Sequence, residues 1–77
     1  MKELLEALVR GLVNEPSEVT VVEDAPNEEG VIVYHLHVAA DDMGRVIGKQ
    51  GRIAKAIRVV MRAVATRNDQ KIMVEID

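Results

Sequence analysis

Val46-Ile47-Gly48-Lys49-Gln50-Gly51-Arg52-Ile53-Ala54-Lys55-Ala56-Ile57-Arg58 is the stretch whose reading decides the fold. Two glycines stand three apart, with Lys49 and Gln50 between them, and a strongly helical run follows. Glycine reaches φ > 0 and carries no Cβ, so this tetrapeptide can turn sharply and admit another backbone at close range. A helix that begins at Gly51 aims its unpaired N–H groups and the positive end of its dipole into the turn. Lys49 adds a mobile positive charge. The combination predicts a surface that accepts phosphate oxygens. It is not a nucleotide-binding loop of the Gly-x4-Gly-Lys-Ser/Thr form, which needs a different spacing.

The charge distribution around this stretch supports the same reading. The 77-residue chain carries a net charge of −3, which evenly spread would repel a polyanion. Between Met43 and Asn68, however, lie Arg45, Lys49, Arg52, Lys55, Arg58, Arg62 and Arg67 with no acidic residue among them. Lys2, Arg10 and Lys71 are the only other basic residues, set among all thirteen acidic ones. One face can therefore attract a polyanion that the remainder repels. The length predicts a single domain over residues 1–77, and a chain this short buries only about 60% of its extended surface. With no cysteine, phenylalanine or tryptophan, it has no disulfide or thiolate site to help, and the core must come from aliphatic residues. No apolar run approaches the ~18 residues of a membrane span, and residues 1–3 open an amphipathic segment rather than a leader, so a cytoplasmic location is expected.

Outward from the glycine pair, the pattern predicts the order α-β-β-α-α-β. Residues 2–13 place Leu4, Leu5, Leu8 and Leu12 on one helical face, and Gly11 and Glu15-Pro16 end the helix. Residues 17–24 read as a strand with Val19 and Val21 inward, followed by an acidic turn over 25–30. Residues 31–39 alternate Ile32, Tyr34, Leu36 and Val38 against Val31, Val33, His35 and His37, the pattern of a half-buried strand. Asp41 and Asp42 are N-cap candidates for a short helix over 43–47. Residues 48–51 interrupt the helix, 52–67 resume it, Asn68-Asp69 turns the chain, and 70–76 form a last strand with Ile72, Val74 and Ile76 inward. On the long helix Ile53, Ile57, Val60, Met61 and Val64 share one side, with Lys55, Arg58 and Arg62 roughly opposite. The flanking Ala54, Ala56, Val59, Ala63 and Ala65 leave it more apolar than one sheet face can cover. A neighbouring helix or a second subunit is expected over the surplus.

A helix–GxxG–helix with an aliphatic-Gly lead, Ile47-Gly48-Lys49-Gln50-Gly51-Arg52, set between strands and among basic residues, resembles the KH domain. The element order resembles the type II arrangement, and the likeness covers the whole chain. It implies an α+β fold with a three-stranded mixed sheet and three helices packed on one face. The length, the Leu-rich first helix and the run from Asp41 through Arg58 are most similar to the small standalone bacterial KH proteins of the KhpA (YlqC) family. That resemblance implies a cytoplasmic RNA-binding protein, described as an RNA chaperone, that forms homodimers and pairs with a larger KH protein, KhpB. It also implies a link to cell elongation, division, shape and cell-wall biogenesis.

The implied mechanism is a groove that clamps about four single-stranded nucleotides. Candidate RNA-binding residues are Arg45, Val46, Ile47, Gly48, Lys49, Gln50, Gly51, Arg52, Ile53, Ala54 and Lys55. Backbone N–H groups of residues 49–52 meet phosphates in this scheme, Lys49, Arg52 and Arg45 add charge, and Val46, Ile47, Ile53 and Ala54 form an aliphatic floor. Single-stranded RNA is the expected ligand, with single-stranded DNA as a second class. The lack of aromatics argues against an RRM-type or OB-type stacking platform. Arg58, Arg62 and Arg67, one or more turns further on, read as a solvated face that supplies field rather than contact. His35 and His37 share one strand face, but no third ligand is suitably spaced, so neither a metal nor a cofactor is expected. No acid, base and nucleophile converge, so a catalytic role is not expected. The competing reading is a protein-interaction subunit whose KH fold docks a partner, carried by Ala56, Val59 and Ala63. The acidic residues Asp24, Glu28 and Glu29 would weaken RNA binding if their loop bordered the groove.

Overall fold

Helix α1 (Lys2–Arg10) lays Leu5 and Val9, one turn apart, fully buried against the rest of the chain. The computed structural model describes residues 1–76, with the Lys49 side chain outside that description. The buried line of α1 differs from the expected leucine face, since Leu4 and Leu12 stay more than one-third exposed. The helix stops before Leu12, whose N–H turns back to the Val9 carbonyl at 2.9 Å, a tighter i→i+3 closure. Pro16 then starts a short 3-10 turn (Pro16–Glu18), in which the Val19 N–H bonds the Pro16 carbonyl at 3.1 Å. Because that turn uses residues 16–18, strand β1 is only Thr20–Glu23, shorter than the expected 17–24. Val19 and Val21 are nevertheless both buried, as the alternation predicts.

Strand β2 (Val31–His37) is central, antiparallel to β1 and parallel to β3 (Lys71–Ile76), giving a mixed sheet in the order β1-β2-β3. Val21 pairs with Leu36, and Leu36 with Ile76, so Val21, Tyr34, Leu36 and Val74 point to one covered face. Val22 and Met73, on the other face, are more than half exposed. Tyr34, the lone aromatic residue, sits 2% exposed in the core as expected. Burial and the neighbouring Glu23 carboxylate push its phenol from 10.0 up to about 12. β2 ends two residues early because neither neighbouring strand extends past His37, although Val38 remains buried.

Helix α2 (Ala40–Arg67) joins β2 to β3 as one 28-residue helical element. Within it Gln50 and Gly51 take φ of +65° and +69°. Two successive left-handed residues cannot continue a right-handed helix without turning its axis. The element therefore consists of two arms meeting at the glycine pair, and the α-β-β-α-α-β order holds. The first arm begins at Ala40, earlier than the expected 43, and Ala39 is its N-cap without a side-chain cap bond. Asp41 and Asp42 are thus not caps. Asp42 is instead 1% exposed, and its two carboxylate oxygens accept the backbone N–H groups of Asn14 and Glu15, each at 3.0 Å. It ties the chain leaving α1 to the start of α2. The second arm buries Ala54, Ile57, Met61 and Ala65, while Val60 stays exposed. At its end Asp69 adopts φ +57° and the Gln70 N–H returns to the Ala65 carbonyl at 2.8 Å, an αL closure that delivers the chain to β3.

Candidate nucleic-acid interface

The bend at Gln50 and Gly51 turns the start of the second arm toward the free edge of the sheet. From Gly51, residues 54, 55, 58 and 62 follow at helical i+3, i+4, i+7 and i+11 spacing and so share one face. That face, with Ile47 and Gln50 from the bend and Ile76 from the end of β3, encloses a groove of about 470 Å³. Arg58 and Arg62 also line an adjoining cleft of about 360 Å³ with Ile72, Met73, Val74 and Glu75. A second hollow lies beside the bend, lined by Gly44, Arg45, Gly48, Arg52 and Ile53.

The residues expected to contact RNA are thus divided. Ile47, Gln50, Gly51, Ala54 and Lys55 line the groove along β3, while Arg45, Gly48, Arg52 and Ile53 line the hollow beside the bend. Val46 is fully buried, so it supports the bend from beneath and cannot serve as the floor expected of it. Side chains one residue apart on a helix point about 100° apart, which places Ile47 (54% exposed) outside and Val46 inside. Arg45 is committed in part, since its Nη1 donates to Asn14 Oδ1 at 3.0 Å. The Lys49 side chain lies outside the described residues.

Arg58 and Arg62, read from sequence as a solvated face, instead line the groove. The Arg58 Nε donates to the Val74 carbonyl at 3.3 Å, bridging the second arm to the edge strand. Their spacing from Gly51 was the available signal; what it could not show is that β3 runs alongside that face. The acidic loop meets β2 at Val31, whereas Ile76 pairs with Leu36 five residues along. The loop is thus about 17 Å, more than a Debye length, from the bend end of the groove, but it lies close to the Ile72 end, since Ile72 pairs with Ile32 beside Val31. Within the loop, Asn27 Oδ1 accepts the Glu29 and Val31 N–H groups.

On the sheet face opposite the helices, His35 Nε2 lies 2.7 Å from Asp24 and its Nδ1 3.5 Å from Glu75. Among the described residues no group of three His, Cys, Asp or Glu side chains is placed to hold a metal ion. Nor is any helix of the described chain long and apolar enough to cross a membrane.

Comparison with known proteins points to one family. Residues 2–76 match the family described as "KhpA/KhpB, KH domain". A protein of Clostridium acetobutylicum named "RNA-binding protein KhpA" is 51% identical over 76 residues, covering 99% of each chain. The protein of the same name from Clostridium perfringens is 50% identical over 76 residues with the same coverage. One from Listeria monocytogenes is 47% identical over 76 residues, covering 99% of this chain and 97% of its own. No solved structure gives a comparable match. A bent helix pair around Gly48–Gly51, packed on a mixed sheet and matched over essentially the full length, makes this chain a member of the KhpA/KhpB KH-domain family.

Proposed function

We propose that the chain binds single-stranded RNA in the groove between the second arm of α2 and the edge of β3. The observation that carries this is one continuous face on which the Gly51 bend, three cationic side chains (Lys55, Arg58 and Arg62) and aliphatic Ile47, Ala54 and Ile76 meet. Phosphates approach the bend, where Gly51 has no side chain and a Cβ built there would meet nothing within 4 Å. The N–H groups opening the second arm and the side chains of Lys49, Gln50, Lys55 and Arg52 supply donors and charge there, and Arg45 and Gly48 border the same bend. Bases rest on Ile47, Ala54 and Ile76, while Ile53 serves the neighbouring hollow. The span suits about four nucleotides, as in KH modules generally. Binding is weak because few phosphates are engaged, and low in sequence selectivity because most contacts are to the backbone. Single-stranded DNA shares the phosphate chemistry and is the second ligand class. The role is one of binding rather than catalysis, in keeping with an RNA chaperone working in the cytoplasm and influencing cell elongation and division.

Titrating a short labelled RNA at several salt concentrations tests this reading. With about three phosphates neutralised on a single strand, log K falls against log salt with a slope near about −2. A slope near zero would remove the phosphate clamp.

A second reading is favoured by Val59 and Val60, which the fold leaves 59% and 41% exposed on the second arm, Val59 where it also borders the groove. They suit a second copy of the chain or a KhpB-like KH partner, and a dimer would present two grooves to one strand. Sedimentation at micromolar concentration distinguishes a dimer from a monomer, and a monomer would count against self-association.

A further inference from the structure

β3 is an edge strand, paired through β2 on one side only, and successive residues of a strand send their backbone groups alternately to its two sides. The Val74 carbonyl faces the groove, because it is there that the Arg58 Nε reaches it at 3.3 Å.

The consequence follows from the guanidinium's inventory of groups. Arginine has five N–H donors and no acceptor, so with Nε spent on Val74, four donors on the two terminal nitrogens remain for a ligand. A base that meets this fork bidentately must offer two neighbouring acceptors. Guanine does so with O6 and N7, and cytosine with O2 and N3. Adenine cannot: on both its Watson–Crick and its Hoogsteen edge a ring nitrogen adjoins the N6 amino group, which asks for an acceptor. Adenine therefore meets the fork with a single acceptor and sets its amino group against the guanidinium donors. Uracil, with isolated carbonyl oxygens, falls between.

We infer that Arg58, anchored on the Val74 carbonyl, makes one nucleotide position of the groove favour guanine or cytosine and disfavour adenine. This rests on the RNA-binding reading above and refines it, since the remaining positions stay unselective. A good bidentate pair discriminates by roughly 5- to 150-fold at its position, and an exposed groove points to the lower part, on the order of 10-fold.

Fluorescence anisotropy with the full chain and four labelled RNA octamers tests the inference: oligo-A, oligo-C, oligo-U and alternating UG. The wild-type protein is expected to bind oligo-C and the UG octamer on the order of 10-fold more tightly than oligo-A. Because oligo-A stacks on itself, the decisive quantity is how that ratio changes on mutation. Arg58→Ala frees the Val74 carbonyl and removes the fork, and should bring the ratio to within about threefold. Arg58→Lys keeps the charge but has no fork, and should lose the ratio as well. Circular dichroism of both variants checks that the fold is retained. A wild-type ratio near one, or a ratio unchanged in both variants, overturns the inference alone. Failure of the wild-type protein to bind any of the four RNAs overturns the RNA-binding reading and the inference with it.

Discussion

Replacing Asp42 should be the most damaging single polar substitution in this chain, although the residue touches no ligand. Its carboxylate is 1% exposed and accepts two backbone N–H groups at 3.0 Å each, from residues 27 and 28 positions away in sequence. Hydrogen bonds to a charged group contribute about 1.5–3 kcal/mol each, and their loss strands the Asn14 and Glu15 donors in a partly buried setting. Those donors can recover some water, so Asp42→Ala is placed near the lower end of the combined range, about 3 kcal/mol. For a domain of this size, each kcal/mol corresponds to about 4–8 °C in Tm, so the midpoint should fall by about 12–24 °C. Thermal and urea unfolding followed by far-UV circular dichroism provide the measurement. Asp42→Asn sharpens it. The amide keeps one acceptor but turns an NH2 toward the second backbone N–H, so this near-isosteric change should cost most of what alanine costs. A Tm drop below about 4 °C for Asp42→Ala, or a harmless Asp42→Asn, would refute the view that this carboxylate clamps the two segments.

Three further outcomes are expected of Tyr34, Gly51 and Gln50. Tyr34 holds its proton up to about 12, above its ordinary 10.0, so the stability it contributes is complete below pH 10 and lost as pH rises toward 12. Unfolding midpoints measured across that window should decline, and Tyr34→Phe should flatten the decline. Gly51→Ala meets no atom within 4 Å but must hold φ +69°, so it should destabilise by about 1 kcal/mol, visible as a shifted urea midpoint at unchanged slope. Gln50 already carries a left-handed φ of +65°, so Gln50→Gly should be neutral or mildly stabilising in the same assay, since removing the Cβ strain offsets the added chain entropy.

The readable parts of the fold were those set by local periodicity. The alternation from Ile32 to Val38 identified the central strand and its buried face, and the glycine pair located the bend in α2. Sequence could not show that the left-handed residues would be Gln50 and Gly51 rather than Gly48, because a positive φ is uncommon for glutamine and ordinary for glycine. Asp42 next to a helix start has the signature of a cap; its real partners on the α1 exit appear only when the chain folds back. Arg58 and Arg62 show the same limit. A helical wheel places them opposite Ile57, but whether that side meets solvent or a groove depends on where the edge strand lies. Pro16 shortened β1 for a local reason that is clear in retrospect, since a 3-10 turn competes for the same backbone groups.

The proposed place where RNA is held is the Gly48–Gly51 bend. Its most direct test is crosslinking of the chain to RNA, comparing wild type with the double variant Lys49→Asp, Gln50→Asp. The pair replaces the bend's positive charge with two negative ones. The fold should survive, because aspartate tolerates a left-handed φ better than glutamine does. Loss of crosslinking with an unchanged circular dichroism spectrum and melting curve is the predicted result. Crosslinking that persists at the wild-type level in the folded double variant would contradict the account and move the site away from the bend.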